Sequence, residues 1–339
     1  MSRVGHTRLR RSTDWVCLDH GDTQPISTVS DSPWFGAFDN RVRPEGTGYD
    51  AFDQIMADSV GVSRPVSTFI HGYSGTNLPT SFASSAVASA QSLGIGAMLN
   101  TKRPWAGLAN GDYDADIAAL FNSWPTSVFG SVTINHEPEN DGPSPADPSN
   151  PTYVTWAQTN GPLWSAGVNR FIDVAAPIIR SRGLDVKVGG CLMGFSWDTT
   201  RWQYWNWWDG INTANLDVIE FQLDEYAKTV DGSPPYGYDL MPRIDETLNV
   251  ARSVGIQYFS LYETALDRRL RYGGETIVGD DSTLATWWPI YAAALSTRPE
   301  VRMVGYFHTP DGPASAQGYL DGPAIPAYAN ICLNGRRFS

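Results

Sequence analysis

The segment Ser131-Val-Thr-Ile-Asn-His-Glu-Pro-Glu-Asn140 is a β-rich run that ends in a histidine, two carboxylates and a proline. A second run, Gln257-Tyr-Phe-Ser-Leu-Tyr-Glu263, carries no charge before its final glutamate. Carboxylates at the ends of two strands are what cleavage of a glycosidic bond requires. One stays protonated and donates to the leaving oxygen; the other stays ionised and attacks the anomeric carbon or directs a water. A carboxyl–carboxyl separation of roughly 5–5.5 Å goes with retention, and roughly 6.5–9.5 Å with inversion. The acid needs a raised pKa, from a dry wall or a nearby negative charge. Glu139 and Glu263 are both candidates to supply that charge to Glu137.

These residues need strands to carry them, and the chain predicts eight: Trp34–Phe38, Val66–His71, Gly94–Asn100, Gly130–His136, Val186–Met193, Leu216–Leu223, Gln257–Tyr262 and Arg302–Phe307. Helical patterns fall near Tyr49–Val60, Thr80–Leu93, Tyr113–Phe121, Val154–Arg182, Asp239–Val254 and Ser282–Leu295, with a shorter one at Thr200–Asp209. Strands alternating with helices predict parallel βα units. Eight units in about 300 residues predict a single α/β (β/α)8 barrel over residues 31–339, after an irregular N-terminal arm over residues 1–30. No GxGxxG follows the first strand, which disfavours an open dinucleotide-binding sheet.

In such a barrel the active site lies where the strands end. Alternation puts Thr133, Asn135 and Glu137 on the inner face of the fourth strand and Val132 and Ile134 on the outer. Pro138 is expected to stop that strand. Glu263 ends the seventh strand, three strands around the ring, so the two glutamates face each other across the mouth. On the sixth strand Glu220, Gln222, Asp224 and Tyr226 share the inner face, with Asp224 and Tyr226 nearest the mouth. Buried polar residues in a row need partners among themselves or in a ligand. Trp105 after the third strand is a candidate sugar platform, as is one of Trp202, Trp205, Trp207 and Trp208. His71 and Tyr73 near the end of the second strand, and His308 at the end of the eighth, are candidates to bind hydroxyls.

Composition narrows the partners. Of 339 residues 42% are hydrophobic, so a large core is available. The 24 basic and 36 acidic residues give a net charge of −12, which disfavours nucleic acid and anionic membrane. Thirteen Trp and 15 Tyr with only 18% charged residues suit a neutral polar ligand with flat apolar faces, such as a sugar. Cys17, Cys191 and Cys332 form no zinc pattern and no CxxC pair. The N-terminal arginines precede no apolar run, so no secretory signal is expected, and no stretch is long enough for a membrane span. A location in the cytoplasm as made, or on a virion, follows as an expectation.

A glutamate after strand four and another after strand seven resemble the plan of the clan A retaining glycoside hydrolases. Most of that clan have Asn before the acid/base; His136-Glu137 is similar to glycoside hydrolase family 26, which contains β-mannanases with related glucanases and xylanases. The opening Trp34-Phe-Gly-Ala-Phe-Asp39 and the stretches Tyr204–Gly210 and Leu216–Tyr226 are also similar to that family. The resemblance implies that Glu137 is the acid/base, Glu263 the nucleophile and His136 a residue shaping the sugar site, with no metal and no cofactor. Where the family has Arg four residues before the acid and Asn two after it, this chain has Thr133 and Glu139. Its Asp-x-x-Gly-x-Asp pattern on strand six is replaced by Asp217, Glu220 and Gln222.

Other chemistries fit less of the sequence. A zinc hydrolase would draw on His71, His136, His308 and Glu137, but there is no HxH on the first strand and no HExxH. A Schiff-base enzyme needs an inward lysine at a strand end, for which Lys102 and Lys187 are the near candidates. A barrel that binds a cell-surface glycan without cutting it, such as a virion tail component meeting a bacterial wall, is the non-enzymatic alternative. A pure binder has no need of two carboxylates across a cleft.

Overall fold

The computed structural model describes residues 34–39, 51–63, 65–74, 80–135, 138–143, 150–193, 207, 210–212, 218–223, 245, 248–249, 252, 258–264, 269–272, 275–278, 285, 288–289, 292–293, 295–308 and 322–334. The elements in chain order are β1 (Trp34–Asp39), α1 (Ala51–Val60), β2 (Phe69–Ser74), α2 (Thr80–Leu93), β3 (Gly96–Thr101), α3 (Trp105–Asn110), α4 (Asp114–Ser123) and β4 (Gly130–Ile134). A 3-10 turn (Pro138–Asp141), α5 (Pro151–Arg182), β5 (Val186–Met193), β6 (Val218–Leu223), β7 (Tyr258–Thr264), β8 (Arg269–Tyr272), β9 (Glu275–Val278), β10 (Val301–His308) and α6 (Ala324–Asn334) complete them.

Eight strands form one sheet in the order β1-β10-β7-β6-β5-β4-β3-β2, and each adjacent pair is parallel. β1 also lies against β2, which brings the two ends of the sheet together. The architecture is the expected (β/α)8 barrel. β8 and β9 form a separate antiparallel hairpin.

Strands buried on both faces must be apolar on both, and the two faces here carry different packing. Ile70, Leu99, Val132, Ile134, Val186, Val188 and Val304 pack with the helices, including Ala86 and Ala90 of α2, Phe121 of α4 and Val168 and Ile172 of α5. Phe69, Met98, Phe129, Cys191 and Met303 form a second, separate cluster contributed by the alternate residues. This second cluster lies inside the barrel. Gly130 lets β4 start against β3: a Cβ there would sit 2.0 Å from the Ala97 carbonyl oxygen, a contact no side chain tolerates.

α5 starts at Asn150, whose side chain accepts from the backbone N–H of Thr152 and Tyr153, with Pro151 in the first turn. It ends at Gly183, left-handed at φ 62°. Its 32 residues span about 48 Å, and Gly167 lets α3 pack close against it, near Leu108 and the Trp105 carbonyl. Among the described residues no helix is long and apolar enough to cross a membrane.

The structure departs from the sequence-based boundaries at two informative places. The second strand begins at Phe69, not Val66, because the N–H groups of Val66 and Ser67 donate to the buried Asp53 carboxylate at 3.3 and 2.9 Å. The fourth strand ends at Ile134, not His136, because Asn135 turns left-handed at φ 55°. Pro138 therefore opens the following 3-10 turn and does not terminate the strand. Helices α3 and α6 and the β8–β9 hairpin were not expected from periodicity; α3 is only six residues long.

Candidate functional site

The barrel interior changes character as β3 and β4 rise. Met98 gives way to Asn100, and Ser131 is followed on the same face by Thr133 and then Asn135. Asn100, Thr133 and Asn135 are each at most 1% exposed. The Asn100 amide donates to Thr133 Oγ1 at 2.7 Å across the β3–β4 ladder, and the two residues are paired in register. Polar side chains this deep must be hydrogen-bonded to be tolerated. Among the described residues, Asn100 Oδ1 and Asn135 Nδ2 nevertheless have no hydrogen-bond partner.

Asn135 is the pivot at the top of β4. Its N–H donates to the Thr101 carbonyl at 2.7 Å, and its own carbonyl accepts Trp164 Nε1 at 3.0 Å. Its side-chain oxygen accepts the Arg103 N–H at 2.8 Å. A non-glycine residue is held left-handed only when its surroundings over-determine it, and asparagine tolerates that region best. These three bonds, to the end of β3, to α5 and to the loop after β3, supply that constraint.

The 3-10 turn Pro138–Asp141 carries Glu139, so Glu139 does not continue an extended strand. At its end Asp141 accepts from the Lys102 ammonium at 2.5 Å. Burial pushes the Asp141 carboxyl above its ordinary pKa, while Lys102 pulls it back down. Lys102 is thus committed to an ion pair, which disfavours its reading as a free Schiff-base amine. Lys187 is the second residue of β5, 3.8 Å from Asp185.

On the far side of the ring, β7 contains an extra residue. Phe221 pairs with Leu261, but the next residue of β6, Gln222, pairs with Glu263. The neighbour on the other side agrees: from Val304 opposite Leu261 the ladder passes to Tyr306 opposite Thr264. Both flanking strands thus register a one-residue bulge at Tyr262. Bulges of this kind re-aim the chain beside active sites. β4 and β7 are separated in the sheet by β5 and β6.

The other expected site residues distribute as follows. His71 is the third residue of β2, level with Met98, while Tyr73 is level with Asn100, so Tyr73 is nearer the mouth. His308 ends β10, level with Asp39 at the end of β1. Trp105 opens α3, half-buried, with its ring 5.9 Å from both Trp156 and Trp207. Trp207 is buried and also meets Trp164 at 5.7 Å, so it belongs to the core. His136, Glu137, Trp202, Trp205, Trp208, Asp224 and Tyr226 lie outside the described residues, and of Glu139, Glu263, His71 and His308 the backbone is described.

Asn135 was expected only as an inward residue of the fourth strand, and Asn100, Asp141 and Trp156 were not singled out. Trp156 sits against the turn after β4: a Cβ on Gly142 would lie 2.5 Å from its ring. Asn135 and Asp141 were visible as polar residues flanking the two glutamates, but nothing in the pattern signalled a left-handed bend or an ion pair with Lys102.

No protein-family model matches the chain, and no curated protein does. Solved structures do. A psychrophilic glycoside hydrolase family 10 endo-β-1,4-xylanase aligns over 88% of this chain and 97% of its own, with a TM-score of 0.53 at 15% identity. A β-glucosidase from Thermotoga maritima aligns over 82% and 84% respectively, with a TM-score of 0.44 at 13% identity. A family 128 oligosaccharide-binding protein from Trichoderma gamsii aligns over 83% and 91%, with a TM-score of 0.41 at 16% identity. The likeness to the xylanase is one of fold.

Proposed function

We propose that this chain is a glycoside hydrolase that cleaves a β-linked polysaccharide by a retaining double displacement, with Glu137 as acid/base and Glu263 as nucleophile. One observation carries the reading. The chain leaves regular β geometry shortly before each glutamate, at Asn135 just after β4 and at Tyr262 in β7. Breaks in regular geometry that the surroundings must enforce are characteristic of sites where side chains have to be aimed. The fold shared with a xylanase supports a glycan as ligand. The His136-Glu137 pair, similar to family 26, supports a β-mannan or related substrate.

In this reading Glu137 protonates the departing glycosidic oxygen while Glu263 attacks the anomeric carbon from the opposite face. A water deprotonated by Glu137 then releases the sugar. His136, Glu139, Asp224, Tyr226, His71 and His308 bind hydroxyls or tune the two carboxyls, and Trp105 and Trp208 offer apolar faces to sugar rings. No metal or cofactor takes part. A bacterial wall glycan met by a virion is one setting for such a chain.

The test assays reducing-end release from mannans, glucans, xylans and bacterial wall polysaccharides. Role assignment uses aryl glycosides of the sugar that is cleaved. Glu137→Ala should still be glycosylated by substrates with good leaving groups, and azide should rescue turnover to give a β-glycosyl azide. Glu263→Ala should lose both substrates, and any azide rescue should give the α-azide, because azide enters where the missing carboxylate left room. Binding without cleavage by wild type and by Glu263→Gln alike would make the protein a glycan binder.

A further inference from the structure

One short loop fastens both ends of the segment that carries Glu137 and Glu139. Lys102 and Arg103 follow β3 directly. The Arg103 N–H holds Asn135 Oδ1 at 2.8 Å, where β4 ends. The Lys102 ammonium holds Asp141 Oδ1 at 2.5 Å, where the 3-10 turn ends. Residues 136–140 run between these two fastenings.

Each fastening has a buried end, Asn135 in the first and Lys102 in the second, while Asp141 itself is exposed. Asn135 is fully buried and left-handed. Lys102 is only 9% exposed, and a charge taken out of water needs a matched partner to stay there. The loop that supplies both grips is itself anchored: the Arg103 guanidinium lies 4.9 Å from the centre of the Tyr113 ring and 3.7 Å from the Asp116 carboxylate. The β3 loop is therefore a fixed frame against which the chain after β4 is set.

We propose that Asn135 and the Lys102–Asp141 pair are positioning residues, a two-point clamp that fixes where Glu137 delivers its proton. This rests on the reading of Glu137 as the acid/base. The clamp residues act through Glu137 and not on the reacting bond. A misplaced acid harms catalysis most when the leaving group is poor, because only then is proton donation needed. A residue needed merely for folding would harm all substrates equally.

The experiment compares wild type with Lys102→Met, Lys102→Arg, Asp141→Asn, Asn135→Gly and the Lys102→Met/Asp141→Asn double variant. It measures kcat and KM on the cleaved polysaccharide and on an aryl glycoside with a good leaving group, unfolding temperature, and amide hydrogen exchange over residues 136–141. Lys102→Met and Asp141→Asn should each lower kcat on polysaccharide on the order of 10- to 100-fold with KM little changed. The aryl glycoside should lose no more than about threefold. The double variant should be about as active as either single one, since both remove the same contact. Lys102→Arg should recover part of the loss. Asn135→Gly keeps access to the left-handed region but loses the side-chain hook, and should show the same leaving-group pattern. Exchange over 136–141 should speed up in every clamp variant, and not in Arg298→Met, which breaks a remote ion pair with Asp245. Equal losses on both substrates that follow the unfolding temperature would overturn the proposal. So would unchanged exchange, including in the case where wild type cleaves no glycan and the functional reading itself has failed.

Discussion

Gln222 of β6 lies opposite Glu263 of β7, although the pair just before it is Phe221 and Leu261. A strand that slips by one residue exchanges its two faces, so the bulge at Tyr262 decides which residue of β7 is level with Gln222. Inserting an alanine between Tyr262 and Glu263 should bring the alanine to that place and move Glu263 one position on. The expected outcome is a folded protein with an unchanged far-ultraviolet spectrum and an activity loss as deep as that of Glu263→Ala. Retention of activity within about tenfold of wild type, a barrier change of roughly 1.4 kcal/mol, would show that the bulge does not set the nucleophile.

Glu139 stands in the 3-10 turn, not on an extension of β4. If Glu137 is the acid, as proposed, Glu139 is expected to be secondary, binding a hydroxyl or raising the acid's pKa. On polysaccharide, Glu139→Gln should cost less than Glu137→Gln. Parallel kcat/KM measurements decide the order, and the reverse order would reassign the acid.

Two glycine substitutions should have opposite effects. Gly130→Ala places a methyl group 2.0 Å from the Ala97 carbonyl, and β3 and β4 must part to admit it. A loss of about 3 kcal/mol or more is expected, by analogy with severe overpacking. At Gly161 in α5 the nearest atom to an added Cβ is 3.8 Å away, on Trp207. Gly161→Ala should gain up to about 1 kcal/mol from helix propensity. Denaturant unfolding of both variants checks the contrast.

Acid should loosen the contact between Asp245 and Arg298. Two bonds of 2.6 Å join them, and the Arg298 guanidinium holds the Asp245 carboxyl below its ordinary pKa. A carboxyl whose folded pKa is depressed stabilises the fold above its unfolded pKa, near 3.9. That contribution is lost as pH falls through the lower folded value. With Asp245 45% exposed, the effect is screened to below about 1 kcal/mol. Thermal melts from pH 6 down to pH 2 should show Arg298→Met losing less stability than wild type. Asp141 is shifted the other way, so its ionisation weakens the fold as pH rises between the unfolded and folded values. Asp141→Asn should remove that contribution.

The sequence was legible where one element's own pattern decides the outcome. In β4, Val132 and Ile134 alternate with Ser131 and Thr133, and the apolar pair does face the helices. The order of strands followed from βα alternation. The strand ends were not legible, because distant groups decide them. Asp53 of α1 takes the N–H groups of Val66 and Ser67 and delays β2. Thr101, Arg103 and Trp164 bend the chain at Asn135 through contacts between residues up to 34 positions apart. The bulge at Tyr262 exists only as a mismatch with two neighbouring ladders, so no reading of β7 alone reveals it. α3 did leave a trace in Pro104 and in Gly111, left-handed at φ 84°, but six residues are too few to show a period.

The two buried thiols give the molecule a pair of internal clocks. Cys191 is walled in by Phe69, Met98, Phe129 and Met303 inside the barrel, while Cys332 is buried in α6, which packs on α1. Burial pushes the Cys332 thiol well above its ordinary pKa, so it stays unreactive until that helix lifts away. In a Cys17→Ser background, a thiol reagent therefore times two separate events: undocking of the C-terminal helix at Cys332 and opening of the strands at Cys191. Equal labelling rates would mean that the barrel and its last helix come apart as one cooperative unit. Faster labelling at Cys332 would make the last helix the place where the barrel starts to unravel.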